Sequence, residues 1–218
     1  MRISRHMPAR SGKDAHRGAT ALELLFDLVF VVAIASAAFG LYQATIEGNY
    51  LDGAVKFVIA FFALWWPWLQ LTWFASGFDN DDDSYRISIM VIMFGALLIA
   101  GSFPVFFESF DVRLLVTGYV VTRLAFIFLW HRAGSENPVY KTTSRRYVSG
   151  QSVLQVLWVL GAFLLPAGSA GFFVAIATGI VLELFVPYYA SLANGMPWHK
   201  NHIMERYGLL NAMACSIL

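Results

Sequence analysis

"GATALELLFDLVFVVAIASAAFG", residues 18–40, decides the fold. It is a long apolar run with two acids inside it, Glu23 and Asp27. Its length suits one helical crossing of a bilayer, which takes about 20 residues. An ionised carboxylate in hydrocarbon costs several kcal/mol, so each acid needs a partner or a task. Glu23 and Asp27 are four residues apart, and on a helix they share one face. Ala33, Ser36, Ala37 and Gly40 fall on another side, where small residues let a second helix come close. The spacing thus predicts a central helix engaged on two sides. The basic stretch before it and the Ala33-x-Ala35 pattern resemble a signal peptide. Two acids within the apolar region, and its length, argue against cleavage.

The rest of the chain repeats this character. Of its 218 residues 58% are hydrophobic and 13% charged, where a soluble domain carries about 25% charged residues. With a mean hydropathy of +0.62, there is too little polar surface for a water-soluble globule. Apolar stretches are expected at 19–41, 54–75, 87–107, 114–130, 148–165 and 169–190, with a seventh starting near 205. They are continuous rather than alternating, and too long for membrane strands. The fifth is the most polar at its start, with Gln151, Ser152 and Gln155. The predicted fold class is therefore all-α, a polytopic transmembrane bundle of six spans plus the start of a seventh. Residues 1–18 read as a mobile basic tail and 19–218 as the membrane domain.

Basic residues set the expected orientation. Alternate connections, counted with the tail, hold twelve Lys and Arg against two on the other side, with Arg123 inside a span. By the positive-inside rule the N-terminus is cytoplasmic, in a cell (inner) membrane. The net charge of +1 and the scatter of basic residues through loops give no nucleic-acid surface. A single cysteine, Cys215, allows no internal disulfide and no multi-cysteine metal site. Membrane lipid is the expected partner, with a proton, cation or small solute as the further candidates, and no residue pattern sets an oligomeric state.

Depth turns the intramembrane charges into a candidate site. With a rise of ~1.5 Å per residue, Asp27 lies roughly 12 Å and Glu23 roughly 6 Å from the cytoplasmic surface. On the same basis Arg123 of the fourth span and Glu183 of the sixth each lie roughly 10 Å deep. Glu23, Asp27, Arg123 and Glu183 are therefore expected to meet. Three carboxylates and one guanidinium sum to −2, so either some acids hold protons or a cation helps neutralise them. This gives proton, cation or small-solute handling a physical route. Fixed helix-positioning salt bridges are the other reading of the same charges.

Three other stretches stand out. "FDNDDDSYR" (78–86) places Asp79, Asp81, Asp82 and Asp83 before the third span. It fails as a calcium loop, because Ser84 takes the glycine position and Met90 the closing glutamate. Helix capping is the simpler reading. "HKNHIMERYG" (199–208) sets His199, His202, Glu205 and Arg206 within about 120° on a helix. No HExxH and no fourth ligand accompany them, so no metal site is assigned, and an interfacial polar face leading into the seventh span fits better. "LWWPWLQLTWF" (64–74) surrounds Pro67 with indoles, as core packing about a bend or as the lining of an apolar pocket. No Ser-His-Asp order, nucleotide loop or zincin helix is visible. No cofactor is indicated.

"ELLFDLVFVVAIA" (23–35), "WFASGFDNDDDSYR" (73–86) and "HIMERYGLL" (202–210) together resemble the bacterial low-temperature-requirement A (LtrA) family. "VVTRLAFIFLW" and "VLELFVPYYA" extend the resemblance over most of 19–218. It implies a multi-pass inner-membrane protein of a family named for a cold-growth phenotype, with no agreed chemistry. By resemblance the motif positions are Glu23, Phe26, Asp27, Asp79, Asp82, Arg86, Arg123, Glu183, His202, Glu205, Arg206 and Gly208. Family members usually continue past the ERYG motif into further spans, so the chain reads as an N-terminal portion. Two function classes follow: a transporter using the charge cluster, or a structural or stress-sensing component with fixed salt bridges. A lipid-acting enzyme built on His202 and Glu205 is a third.

Overall fold

A computed structural model describes residues 7, 20–78, 82–195, 198 and 200–217. All regular structure among them is helical: α1 (Ala21–Ile46), α2 (Tyr50–Phe78), α3 (Asp83–Ser109), α4 (Arg113–Glu136), α5 (Lys141–Leu164), α6 (Ala170–Ser191) and α7 (Lys200–Ile217). A single 3-10 turn, Pro138–Tyr140, precedes α5. Helices α1 to α6 are each long and apolar enough to cross a membrane, as the sequence predicts. Two helices begin earlier than their apolar content suggests, α5 at Lys141 and α7 at Lys200. The reason is that helical hydrogen bonding continues through polar residues beyond the hydrocarbon-facing part.

Local chemistry fixes the ends. Thr20 caps α1 in a capping box: its hydroxyl accepts from the Glu23 N–H, while Glu23 accepts from the Thr20 N–H at 2.8 Å. Asp82 caps α3 by accepting from the Tyr85 N–H at 2.9 Å, and Ser169 caps α6 through the Phe172 N–H. Phe110 ends α3 in the left-handed region at φ 58°. Beside it, Asp111 accepts hydrogen bonds from the Arg113 side chain and backbone, which hold its carboxyl below the ordinary aspartate value of 3.8.

Helix α1 packs against α2, α3 and α7; α4 packs against α3 and α5, and α6 against α5. Small residues set the closest approaches. Ala33 and Ala37 are fully buried, and a Cβ on Gly40 would stand 2.7 Å from the Phe107 ring of α3. The predicted small-residue face of α1 is thus an α1–α3 contact. At the α3–α4 crossing a Cβ on Gly118 would lie 2.7 Å from the Gly95 carbonyl oxygen and 2.8 Å from the Ile99 nitrogen. Two backbones touch there because neither residue has a side chain. Helices α5 and α6 are peripheral: 22% and 17% of their apolar windows are buried, against 50% for α2. Large apolar side chains such as Phe163, Val174 and Phe185 stand exposed on them, facing where acyl chains would lie. Pro67 sits inside α2, which runs unbroken through it. Met7, within the stretch expected to be a mobile tail, is buried, and its carbonyl accepts from Asn137 at the end of α4.

Candidate functional site

Asp27, Arg123 and Glu183 are fully buried, and so is Arg206. They form two separate ion pairs. Arg123 of α4 donates to Glu183 of α6 at 3.0 Å. Arg206 of α7 donates to Asp27 of α1. The expectation that Asp27 would face Arg123 and Glu183 is corrected, because Asp27 finds its cation on α7. Glu23 is corrected too. It caps its own helix, and the signal was legible in Thr20-x-x-Glu23.

Helix α2 lies between the pairs and serves both. The Trp66 indole N–H donates to Glu183 at 3.0 Å, and the Trp68 indole N–H donates to Asp27 at 2.7 Å. Two residues along a helix turn by about 200°, so these indoles point to opposite sides. Gln70, one turn after Trp66, shares its face, and its carbonyl oxygen accepts from Arg123 and from Gln151 of α5. The run 64–74 packs in the core, with Leu64, Trp66, Trp68, Leu71 and Phe74 buried, and it also supplies polar donors to both pairs. Pro67 lies between the two indoles. It has no N–H to give the Ala63 carbonyl, so α2 lacks a ladder bond at that point.

Each pair has its own shell. Around Glu183, Trp158 of α5 donates to the second carboxylate oxygen at 3.2 Å. Arg123 also donates to the Tyr119 hydroxyl and lies 4.5 Å from that ring's centroid. Around Asp27, the Arg206 guanidinium sits over the Phe26 and Trp68 rings at 5.5 and 5.8 Å, and Tyr207 meets Trp68 edge to face at 5.1 Å. With Arg206 included, Asp27, Glu183, Arg123 and Arg206 sum to zero. The deficit of two inferred from the sequence disappears for two reasons: that sum left out Arg206, and it counted Glu23, which caps its own helix. Arg206 is not on an exposed polar face; Glu205, its neighbour, is exposed.

The remaining sequence candidates divide. Asp82 makes a two-pronged pair with Arg132 of α4, at 2.9 and 2.5 Å, while Arg132 also reaches Glu136 at 2.9 Å. Arg132 is a member that sequence reading missed, because it sits at the polar end of a span where a loop charge is unremarkable. Arg86 lies in the first turns of α3. Asp79, His199 and the His202 side chain lie outside the described residues. Among the described residues no group of three metal-ligating side chains converges.

A cavity of about 460 Å³ opens beside the Arg123–Glu183 pair. Its walls come from α2, α4, α5 and α6 and are almost wholly apolar, with Phe62, Leu115, Leu157 and Leu182 among them. Tyr119 and Trp158 also line it, and their polar ends touch Arg123 and Glu183.

Six bilayer-length helices and charges kept to the bundle interior define a multi-pass α-helical membrane protein. The chain belongs to the LtrA family: the model for "Bacterial low temperature requirement A protein (LtrA)" matches residues 18–214. It is 26% identical over 199 residues to an uncharacterised protein of Rhizobium meliloti (strain 1021), covering 88% of this chain and 47% of that one. The chain therefore spans about half the length of the curated relative it matches. No solved structure matches it.

Proposed function

We propose that this is an inner-membrane transporter-like protein, N-terminus in the cytoplasm, handling a proton or small solute at its two intramembrane ion pairs. One observation carries the reading: Glu183 and Asp27 are hydrogen-bonded by indoles on either side of Pro67 in one helix. A proline inside a helix is a point of bending. Bending α2 there shifts Trp66 and Trp68 relative to their carboxylates, so the state of one pair is felt at the other. Proton uptake by either carboxylate would break the neutrality of its pair and favour that movement. The zero sum of the four charges favours a proton or an uncharged solute over a bare cation. The twelve-to-two split of basic residues supports the orientation.

Proteoliposomes holding a pH dye test this under an imposed pH gradient and membrane potential. The native chain is expected to dissipate the gradient faster than empty vesicles, and Glu183→Gln and Asp27→Asn to lose that increment. A native rate equal to that of empty vesicles, with glycerol and urea also excluded, would overturn it.

A second reading rests on the complete burial and mutual neutralisation of the pairs, which suits fixed bridges that position helices in a structural or stress-sensing component. Charge exchange separates the two. If Asp27→Arg with Arg206→Asp restores both folding and activity, the pair is structural. A titrating site does not survive that exchange.

A further inference from the structure

Polar atoms left without a partner gather beside the Arg123–Glu183 pair. Gln155 is 7% exposed, and neither its amide nitrogen nor its amide oxygen has a partner. The Gln151 amide oxygen, the Gln70 amide nitrogen and Arg123 Nε are buried and likewise unpartnered. These atoms belong to one locality. Gln151 and Arg123 both bond the Gln70 carbonyl oxygen. Gln155 lies on α5 between Gln151 and Trp158, at spacings of four and three, so all three share a face. Trp158 in turn touches Glu183.

Buried amides in native proteins are almost always hydrogen-bonded, to protein or to ordered water. A carboxamide with both ends unpaired in a membrane interior points to an occupant that it can bond. The free atoms define the occupant. Gln155 Nε2, Gln70 Nε2 and Arg123 Nε donate; Gln155 Oε1 and Gln151 Oε1 accept. A bare cation would meet three donors and the Arg123 charge. An anion would meet Glu183. A small uncharged molecule that both donates and accepts matches the set. Space lies nearby, since Tyr119 and Trp158, which bond Arg123 and Glu183, also line the cavity.

We propose that Gln70, Gln151, Gln155 and Arg123 line a site between α2, α4 and α5 for a small uncharged hydrogen-bonding molecule, either water or a polyol- or urea-like solute. The site shares the Arg123–Glu183 pair with the transport reading. Labelling reads occupancy and flux reads passage, so either idea can fail without the other.

Radiolytic hydroxyl labelling of the purified chain in bilayer nanodiscs, in ¹⁸O water, is the test. Radicals formed from a trapped water oxidise what is beside it, so Trp158, Trp66 and Tyr119 are the reporters. All three are expected to take up label in the native protein. Gln151→Leu with Gln155→Leu is expected to abolish that label, while label on Trp68, across α2, is unchanged. Gln155→Asn, which keeps the amide, is expected to retain it. Protection of the reporters by added glycerol or urea identifies a solute as the occupant, and label indifferent to both identifies water. Native reporters without label, or label that survives the double leucine change, would overturn the site.

Discussion

Arg206 of α7 is bonded to Asp27 of α1 across 179 residues of sequence, and both side chains are fully buried. The last described helix is thereby tied to the first through a charge pair within the bundle. A lone guanidinium or carboxylate there would lose both its water and its counter-charge, so each residue depends on the other.

Arg206→Gln is expected to destabilise the fold by about 3–5 kcal/mol, since removing one partner leaves a buried carboxylate uncompensated. Adding Asp27→Asn to that variant should recover much of the loss. The check is denaturant unfolding in bicelles, followed by the fluorescence of Trp68. Two losses that simply add would remove the pair from the account.

At the α3–α4 crossing, Gly118→Val puts its side chain into the Gly95 backbone and Ile99. Overpacking of this kind costs typically about 1–3 kcal/mol, and more where the obstacle is backbone. Gly101→Ala, with nothing within 4 Å of the new Cβ, serves as the tolerated control. Unfolding midpoints of the two variants should differ accordingly.

Asp82 does two jobs, and substitution separates them. Asn caps a helix as well as Asp does, so Asp82→Asn removes mainly the Arg132 pair. Asp82→Ala removes the cap as well and should cost a further ~0.5–2 kcal/mol. Equal stability of the two variants would mean that the cap contributes nothing.

Asp111 gives the chain a small acid-sensitive term. Its carboxyl titrates lower when folded than when unfolded, held down chiefly by the Arg113 side chain. Its contribution is therefore complete above the ordinary value of 3.8 and fades as pH falls through the lower folded value. The pair is solvent-accessible, so the effect is at most ~1 kcal/mol. Asp111→Asn should remove that increment at neutral pH, and the difference between the two proteins should shrink as pH falls below 3.8 through the lower folded value, as read from unfolding curves across the range.

The sequence alone determined the architecture. Bilayer length is written into each apolar run, because a span must satisfy its own backbone and clothe itself in hydrocarbon-compatible side chains. The motif stretches were sufficient to reveal the family. The sequence also marked Asp27, Arg123 and Glu183 as interior charges, since lipid would not accept them facing outward. Tertiary structure alone decided who meets whom. Depth along each helix puts three charges at one level, but level says nothing about azimuth. The rotation of α2 sends Trp66 and Gln70 to one side and Trp68 to the other. The docking of α7 brings in Arg206, which sequence places at the membrane edge. Those choices follow from side-chain packing between helices distant in the chain, and no local pattern encodes it.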